Sequence, residues 1–154
     1  MGLTRINNQA LTDITSAGLP SGAVIQVKRY EVTDVPSAIG FTSASWTDTG
    51  HSVSITPNAV GNKLLVLVNY SMINNSTGWG RGRLALNGTA IGDIYQVGYL
   101  ESSHNRYSPW ACQHEHTTTN TNAHTFKTQI YSGSGQTDIH VSSSVNITVM
   151  EIAG

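Results

Sequence analysis

Three of the six histidines and one carboxylate fall in QHEHTTTNTNAHT, residues 113 to 125, and their side chains carry the metal-binding and proton-transfer chemistry of which the chain is capable. On a strand, residues two apart point the same way, so His114 and His116 project from one face roughly 6.5 to 7 Å apart, with Glu115 on the other. One chain then supplies two imidazoles, and a stable transition-metal site usually requires at least three protein ligands. Around a threefold axis the pair becomes six nitrogens, enough for an octahedral site with no other residue. The competing expectation is a histidine pair on a surface or subunit interface at a strand end. The polar stretch TTTNTNA predicts a chain reversal that sets two strands side by side and lets His124 approach the pair. Such a cluster needs no metal, and its protonation near pH 6 opposes folding through like-charge repulsion.

Other catalytic signals are weak. The chain has no G-x-S-x-G, no H-E-x-x-H, no glycine-rich phosphate loop leading into a helix and no C-x-x-C. Paired carboxylates for glycoside cleavage would have to come from Asp93, Glu101, Glu115 or Asp138, which no motif organises. The expectation is a protein that is not an enzyme, with no catalytic residues and no cofactor beyond the axial metal just described. Cys112 is the only cysteine, so it closes no intrachain disulfide; its place beside Trp110 and Gln113 predicts a quiet core thiol.

Aromatic and polar residues mix between Asn74 and Gln113. Trp79, in NNSTGWGRGR, is flanked by glycines and is expected at an exposed loop tip, with Arg81 and Arg83 close in sequence. Tyr95, Tyr99, Tyr107 and Trp110 lie in IYQVGYLESSHNRYSPWA among Gln96, Glu101, His104, Asn105 and Arg106. Flat rings beside hydrogen-bonding side chains suit a carbohydrate or protein surface. Trp79, Arg81, Tyr99, Arg106, Tyr107 and Trp110 are accordingly the candidate ligand-binding residues. Tyr95, Val97 and Tyr99 also share strand parity, so packing in the core or a subunit interface stands as the other reading of the tyrosines. Trp46, beside the SITP segment, is expected in the core.

The elements that must position these groups are strands. Ile25 and Val27, Val53 and Ile55, Ile139 and Val141, and Val145, Ile147 and Val149 each alternate with polar or flexible neighbours, the pattern of half-buried strands. KLLVLVNYSMI, residues 63 to 73, is a continuous apolar run and reads as a central strand covered on both faces. Asn87-Gly88 between apolar flanks is a strong hairpin signal, and further turns are expected at DTGH, PNAVGN and YSGSGQT. About eight to ten short strands without an amphipathic helix predict an all-β antiparallel sandwich of jelly-roll type. Residues 23–154 form this domain. Residues 1–22 are set apart by Leu3, Ile6, Leu11, Ile14 and Leu19 at irregular spacing and by Gly18, Pro20 and Gly22. They read either as an extended or partly helical stem packed on another chain or as a disordered leader.

Composition narrows the partners. Charged residues are 11% of the chain, against about 25% in an average globular protein, and the formal net charge is −1. No basic run is present to neutralise phosphates, so nucleic acid is a poor partner. No stretch approaches the roughly 18 apolar residues of a membrane span, and the N-terminus lacks the apolar run of a secretory signal, which predicts release by lysis or assembly.

LTRINNQALTDITSAGLPSGAVIQV, WTDTGHSVSITPNAVGNKLLVLVNY, HTFKTQIYSGSG and the ending VNITVMEIAG together resemble a large family of tail-fibre and other virion structural proteins of marine tailed bacteriophages. The resemblance spans nearly the whole chain, and none of its telling segments encodes catalysis. It implies a homotrimeric domain near the distal or C-terminal part of a fibre or appendage, assembled in the host cytoplasm and located on the virion. Its implied partners are other virion proteins and a host-surface glycan or protein. It also implies that residues 1–22 end a stem. The resemblance favours an axial role for His114 and His116, since histidine pairs on the axis occur in trimeric phage fibre tips. The segment from Asn74 to Gln113 departs from the family's common middle, where loops on a fixed sandwich would carry specificity. A purely structural assembly or decoration module is the alternative function, and a fibre-borne polysaccharide hydrolase is the second.

Overall fold

A computed structural model describes residues 19–33, 39–74, 78–91, 95–100, 106–133, 135–139 and 144–154. Residues 1–18 of the expected stem lie outside them. The described strands are β1 (Val24–Val32), β2 (Ile39–Phe41), β3 (Thr47–Ile55), β4 (Lys63–Asn74), β5 (Gly78–Leu86), β6 (Thr89–Ala90), β7 (Tyr95–Leu100), β8 (Arg106–Thr117), β9 (His124–Ser132), β10 (Thr137–Ile139) and β11 (Val145–Ile152). No helix occurs among the described residues, and so none long and apolar enough to cross a membrane.

The strands pair as nested antiparallel partners, β1 with β11, β3 with β9, β4 with β8 and β5 with β7, and successive pairs alternate between two sheets. Sheet A runs β1-β11-β4-β8, with β10 and β2 continuing the edge of β4 beyond the end of β11. Sheet B runs β3-β9-β5, and the far edge of β5 is shared by β7 and β6. This order is that of a jelly roll, a long hairpin rolled into two packed sheets.

Alternation places one side chain in two between the sheets. Val145, Ile147 and Val149 of β11 face Phe126 and Ile130 of β9 in a single core with Leu64, Val66 and Tyr70 of β4. Burying each of these apolar side chains contributes roughly 1.5–3 kcal/mol. The run in β4 is not covered on both faces as its composition suggests. Leu64, Val66 and Val68 are buried, whereas Leu67 is 37% exposed and Asn69 is exposed, because among the described residues no third layer lies over sheet A.

The Asn87-Gly88 turn joins β5 to β6, with both residues at positive φ (49° and 88°) as a type I′ turn requires. At DTGH the chain does not turn. β3 continues through a register shift between Asp48 and Ser52, with Gly50 at φ 83°, and Thr49 and His51 keep the inward parity of Val53 and Ile55. His51 shares a hydrogen bond with the Tyr70 hydroxyl (3.2 Å), and that hydroxyl bonds Thr128, which bonds Thr49 (2.7 Å). Burial holds the His51 imidazole below its ordinary pKa and pushes the Tyr70 phenol up, so this interior network is neutral.

A carboxylate closes one end of the core. Glu151 follows the inward parity of β11 and is fully buried. It accepts hydrogen bonds from the Asn58 amide (2.7 Å) and side chain (3.0 Å), from Asn62 (2.6 Å) and from Gln26 (2.6 Å). Burial alone would raise its pKa, but the bonds from Asn62, Gln26 and Asn58 outweigh it and leave the carboxyl below the ordinary value. The same Asn62 accepts the Gly154 amide (3.2 Å), and Gly22 and Ala153 are joined through their backbones (2.9 Å), so the sandwich already includes Gly22.

Candidate functional site

The sequence GWGRGRLAL of β5 alternates glycines with large polar and aromatic residues, and the sandwich explains the alternation. Gly80, Gly82 and Leu84 point inward. A Cβ on Gly82 would come within 2.8 Å of the Trp110 ring, and one on Gly80 would collide with Thr137. Trp79, Arg81 and Arg83 therefore line the outer face of sheet B, in the body of a strand and not at a loop tip.

Three strands complete a continuous strip on that face. The Trp79 indole covers Gly133, which follows the last residue of β9 and donates its amide to the Trp79 carbonyl, and any Cβ there would strike the ring. It stacks on Tyr131 with centroids 5.2 Å apart and planes 9° apart. The Arg81 guanidinium carbon lies 3.9 Å from the Trp79 ring centre. Tyr131 also meets Trp46 at 5.6 Å, and the Arg83 guanidinium lies 4.3 Å over Trp46. Trp46 is thus half-buried on this outer face and not in the core. Beyond it, Arg83 donates to Gln129 (2.7 Å), Gln129 donates to Asp48 (2.5 Å), and Lys127 donates to the other oxygen of Asp48 (2.6 Å). The bonds from Lys127 and Gln129 hold the Asp48 carboxyl below its ordinary pKa.

The candidate residues divide between the sheets. Trp79 and Arg81 are in the strip, and Tyr99 is the register partner of Trp79 on β7. Arg106 and Tyr107 open β8 in sheet A, opposite Asn74 and Ile73. The side chains of Tyr95, Tyr99, Arg106 and Tyr107 lie outside the described residues. Trp110 is no surface residue. Only 2% exposed, it faces inward from β8 and packs on Tyr70 (5.2 Å) and across the core on Gly82. Cys112, of the same parity, is half-buried against the core. Tyr131, Gln129, Asp48 and Lys127 have no place in the sequence reading, and Trp46 is there only as a core residue. The usable signal was parity in HTFKTQIYS, where Lys127, Gln129 and Tyr131 fall opposite Phe126, Thr128 and Ile130.

His114 and His116 do share a face, as strand geometry demands, but that face looks into the sandwich. Their register partners are Val66 and Leu64, both buried. His116 lies 5.3 Å from His124 and 6.5 Å from Phe126, edge-on. His124 reaches it from the opposite sheet, because the 118–123 reversal crosses the sandwich instead of pairing β8 with β9. The axial metal site needs this pair turned outward toward a symmetry mate, whereas the inward parity of β8 turns His116 toward His124 and Phe126. The Nδ1–H of His124 donates to the Asn122 carbonyl (2.7 Å). Burial, and then the neighbouring His124 and His114, hold His116 below its ordinary pKa. Among the described residues, no group of three or more His, Cys, Asp or Glu side chains is gathered to hold a metal ion.

Of the carboxylates named for glycoside cleavage, Glu115 lies on the outer face of sheet A in an ion pair with Lys63 (2.9 Å). The side chains of Asp93, Glu101 and Asp138 lie outside the described residues.

No family model matches the chain, and no curated protein matches it. Among solved structures it is similar to the protein of T=1 particles derived from infectious bursal virus, with a TM-score of 0.44, 12% identity, 86% of this chain covered and 37% of that one. It is also similar to a family 35 carbohydrate-binding module from Clostridium thermocellum, with a TM-score of 0.34, 15% identity, 79% of this chain covered and 90% of that one. A third similarity is to latent PorU from Porphyromonas gingivalis, with a TM-score of 0.40, 11% identity, 90% of this chain covered and 14% of that one. The chain spans little more than a third of the length of the first of these. All three likenesses are of fold at low identity, and the jelly-roll assignment rests on the strand order of the chain itself.

Proposed function

We propose that the chain is a non-catalytic domain of a virion fibre or appendage, and that it attaches to host-surface glycans through the outer face of sheet B. The observation that carries this reading is the strip Arg81, Trp79, Tyr131, Trp46, Arg83. It combines rings that offer flat apolar area with guanidinium and amide donors that read hydroxyl groups. The strip is built on strands, so its geometry is held by the sheet. The resemblance of the sequence to tail-fibre proteins supports the setting on a virion, together with homotrimeric assembly and contact with other virion proteins. Three copies would multiply weak contacts into useful avidity. A glycan array probed with the full chain, and host cells probed in parallel, test the reading. Retention is expected for the native chain and loss for Trp79→Ala and Tyr131→Ala; equal retention by all three removes the strip.

A purely structural role has its own supporting observation. The outer face of sheet A exposes Val27 (53%) and Leu67 (37%) near the half-buried Leu65 and Met150, which suits packing against another virion chain. The mass in solution tests it. A trimer that Leu67→Arg dissociates supports assembly through this face, and a folded native monomer counts against both the trimer and this contact.

A further inference from the structure

The strip's charges are distributed unevenly. Arg81, Arg83 and Lys127 are three of the chain's eight basic residues, yet Asp48 is the one acidic residue among the described residues of the strip, in a chain whose net charge is −1. Asp48 is fully engaged, with one oxygen on Lys127 and the other on Gln129. Gln129 also occupies Nε of Arg83. Arg81 differs from both of these cations. It rests on the Trp79 ring and forms no ion pair with any carboxylate among the described residues.

We infer that the glycan taken by this face carries carboxylate groups, and that Arg81 is the residue that receives them. The inference rests on the reading of the strip as a glycan surface. A guanidinium lying over an indole keeps its plane fixed and its N–H edge free, and that edge matches two carboxylate oxygens in a bidentate pair. The support is layered: Gly133 seats Trp79, Tyr131 stacks on it, and Trp79 carries Arg81. The fork is therefore largely ordered before any ligand arrives, and little freedom is lost on binding. Tyr131 and Trp46 stand beside it and offer ring surface for the C–H faces of the same sugar or its neighbour. A neutral sugar would leave the charge of Arg81 unmatched. Single-stranded nucleic acid also stacks on rings beside arginines, but it needs a cationic track along its backbone, and the strip's remaining basic groups are bound to Asp48 and Gln129.

The test is equilibrium binding of the full chain to four probes: polygalacturonate, its fully methyl-esterified form, dextran sulfate and an oligothymidylate. The two pectins share a backbone and differ in charge. Polygalacturonate is expected to bind at least about tenfold more tightly than the ester, with the advantage shrinking as salt rises. Arg81→Gln should abolish that advantage, leaving acid and ester with comparable affinities. Arg81→Lys should retain only part of it, since an ammonium has the charge without the planar fork. Unchanged thermal midpoints establish that both variants are folded. Equal binding of acid and ester overturns the carboxylate inference and leaves the glycan reading intact. Tighter binding of dextran sulfate or of the oligothymidylate also overturns it, by identifying a different anion. Failure of both pectins and of every glycan on the array removes the strip's glycan role, and the inference falls with it.

Discussion

Glu151 and Arg81 are both charged residues on β-strands, and their surroundings are opposite. The Glu151 carboxylate is sealed at one end of the core and accepts four hydrogen bonds from three residues, none of them a cation. Arg81 lies half-buried on an outer face with an aromatic ring beneath it and no acid beside it among the described residues. A charge whose bonding capacity is filled from within the chain holds the fold together, because nothing external can improve on its partners. A charge that is positioned and left unneutralised remains available to another molecule. The contrast separates the clamp that fastens the 56–62 turn and the chain's last residues from the strip proposed to bind glycan.

Glu151→Ala should have the largest effect. Stripping four donors of their buried acceptor is expected to cost roughly 3–4 kcal/mol in urea unfolding while the folded fraction keeps its glycan affinity. A loss below about 1 kcal/mol would mean that the end of the core is not clamped there. Next comes Trp79→Ala, which removes the seat of Arg81. Glycan affinity should fall between about tenfold and a hundredfold, with a stability change near 1 kcal/mol. Leu67→Ser, on the outer face of sheet A, should leave the affinity of each single site unchanged, and an equal loss there would erase the distinction between the faces.

Acid should expose the clamp and the histidines in separate steps. His51 and His116 have folded pKa values below the ordinary 6.5, so the unfolded chain takes up their protons first. Stability is therefore full above about pH 6.5 and declines as pH falls through the depressed values. Glu151, depressed below 4.5, adds a second loss that begins near that pH and runs lower. Thermal midpoints against pH should show both limbs, with Glu151→Gln weakening only the lower one and His116→Asn weakening only the upper. The smallest effect belongs to Asp48→Asn. Its ion pair with Lys127 is largely exposed, so stability should move by less than about 1 kcal/mol, while affinity for polygalacturonate rises about twofold as the strip loses its only described acid.

Much of the fold was legible in the sequence because alternation is a local property. The strands around Val53, Val66 and Val149 were readable from their own neighbours, and so was the Asn87-Gly88 turn. Partnership between sheets is not local. The approach of His124 to His116 was anticipated, but it occurs across the sandwich, since nothing in TTTNTNA distinguishes a hairpin from a crossing between sheets. Trp79 was misplaced because glycines usually mark loops, whereas here they make room for Trp110 and Thr137 arriving from sheet A. Glu151 shares the inward parity of Val145, Ile147 and Val149, but its three amide-bearing partners come from β1 and from the 56–62 turn, distant positions that no spacing links.

The nesting of the strand pairs also governs how the protein comes into being. β1 finds its partner only in β11, more than a hundred residues later, and β3 waits for β9 across a shorter but still long stretch. Closing such long loops costs entropy before any contact repays it, which places folding toward the slow, millisecond-to-second range of all-β chains. On the ribosome, the first strand therefore emerges long before its partner, and the apolar run of β4 stays unpaired until β8 follows it. The innermost pairs, β5 with β6 and β7, can form first, so the sheet that carries the aromatic strip begins to assemble before the sheet that closes the core.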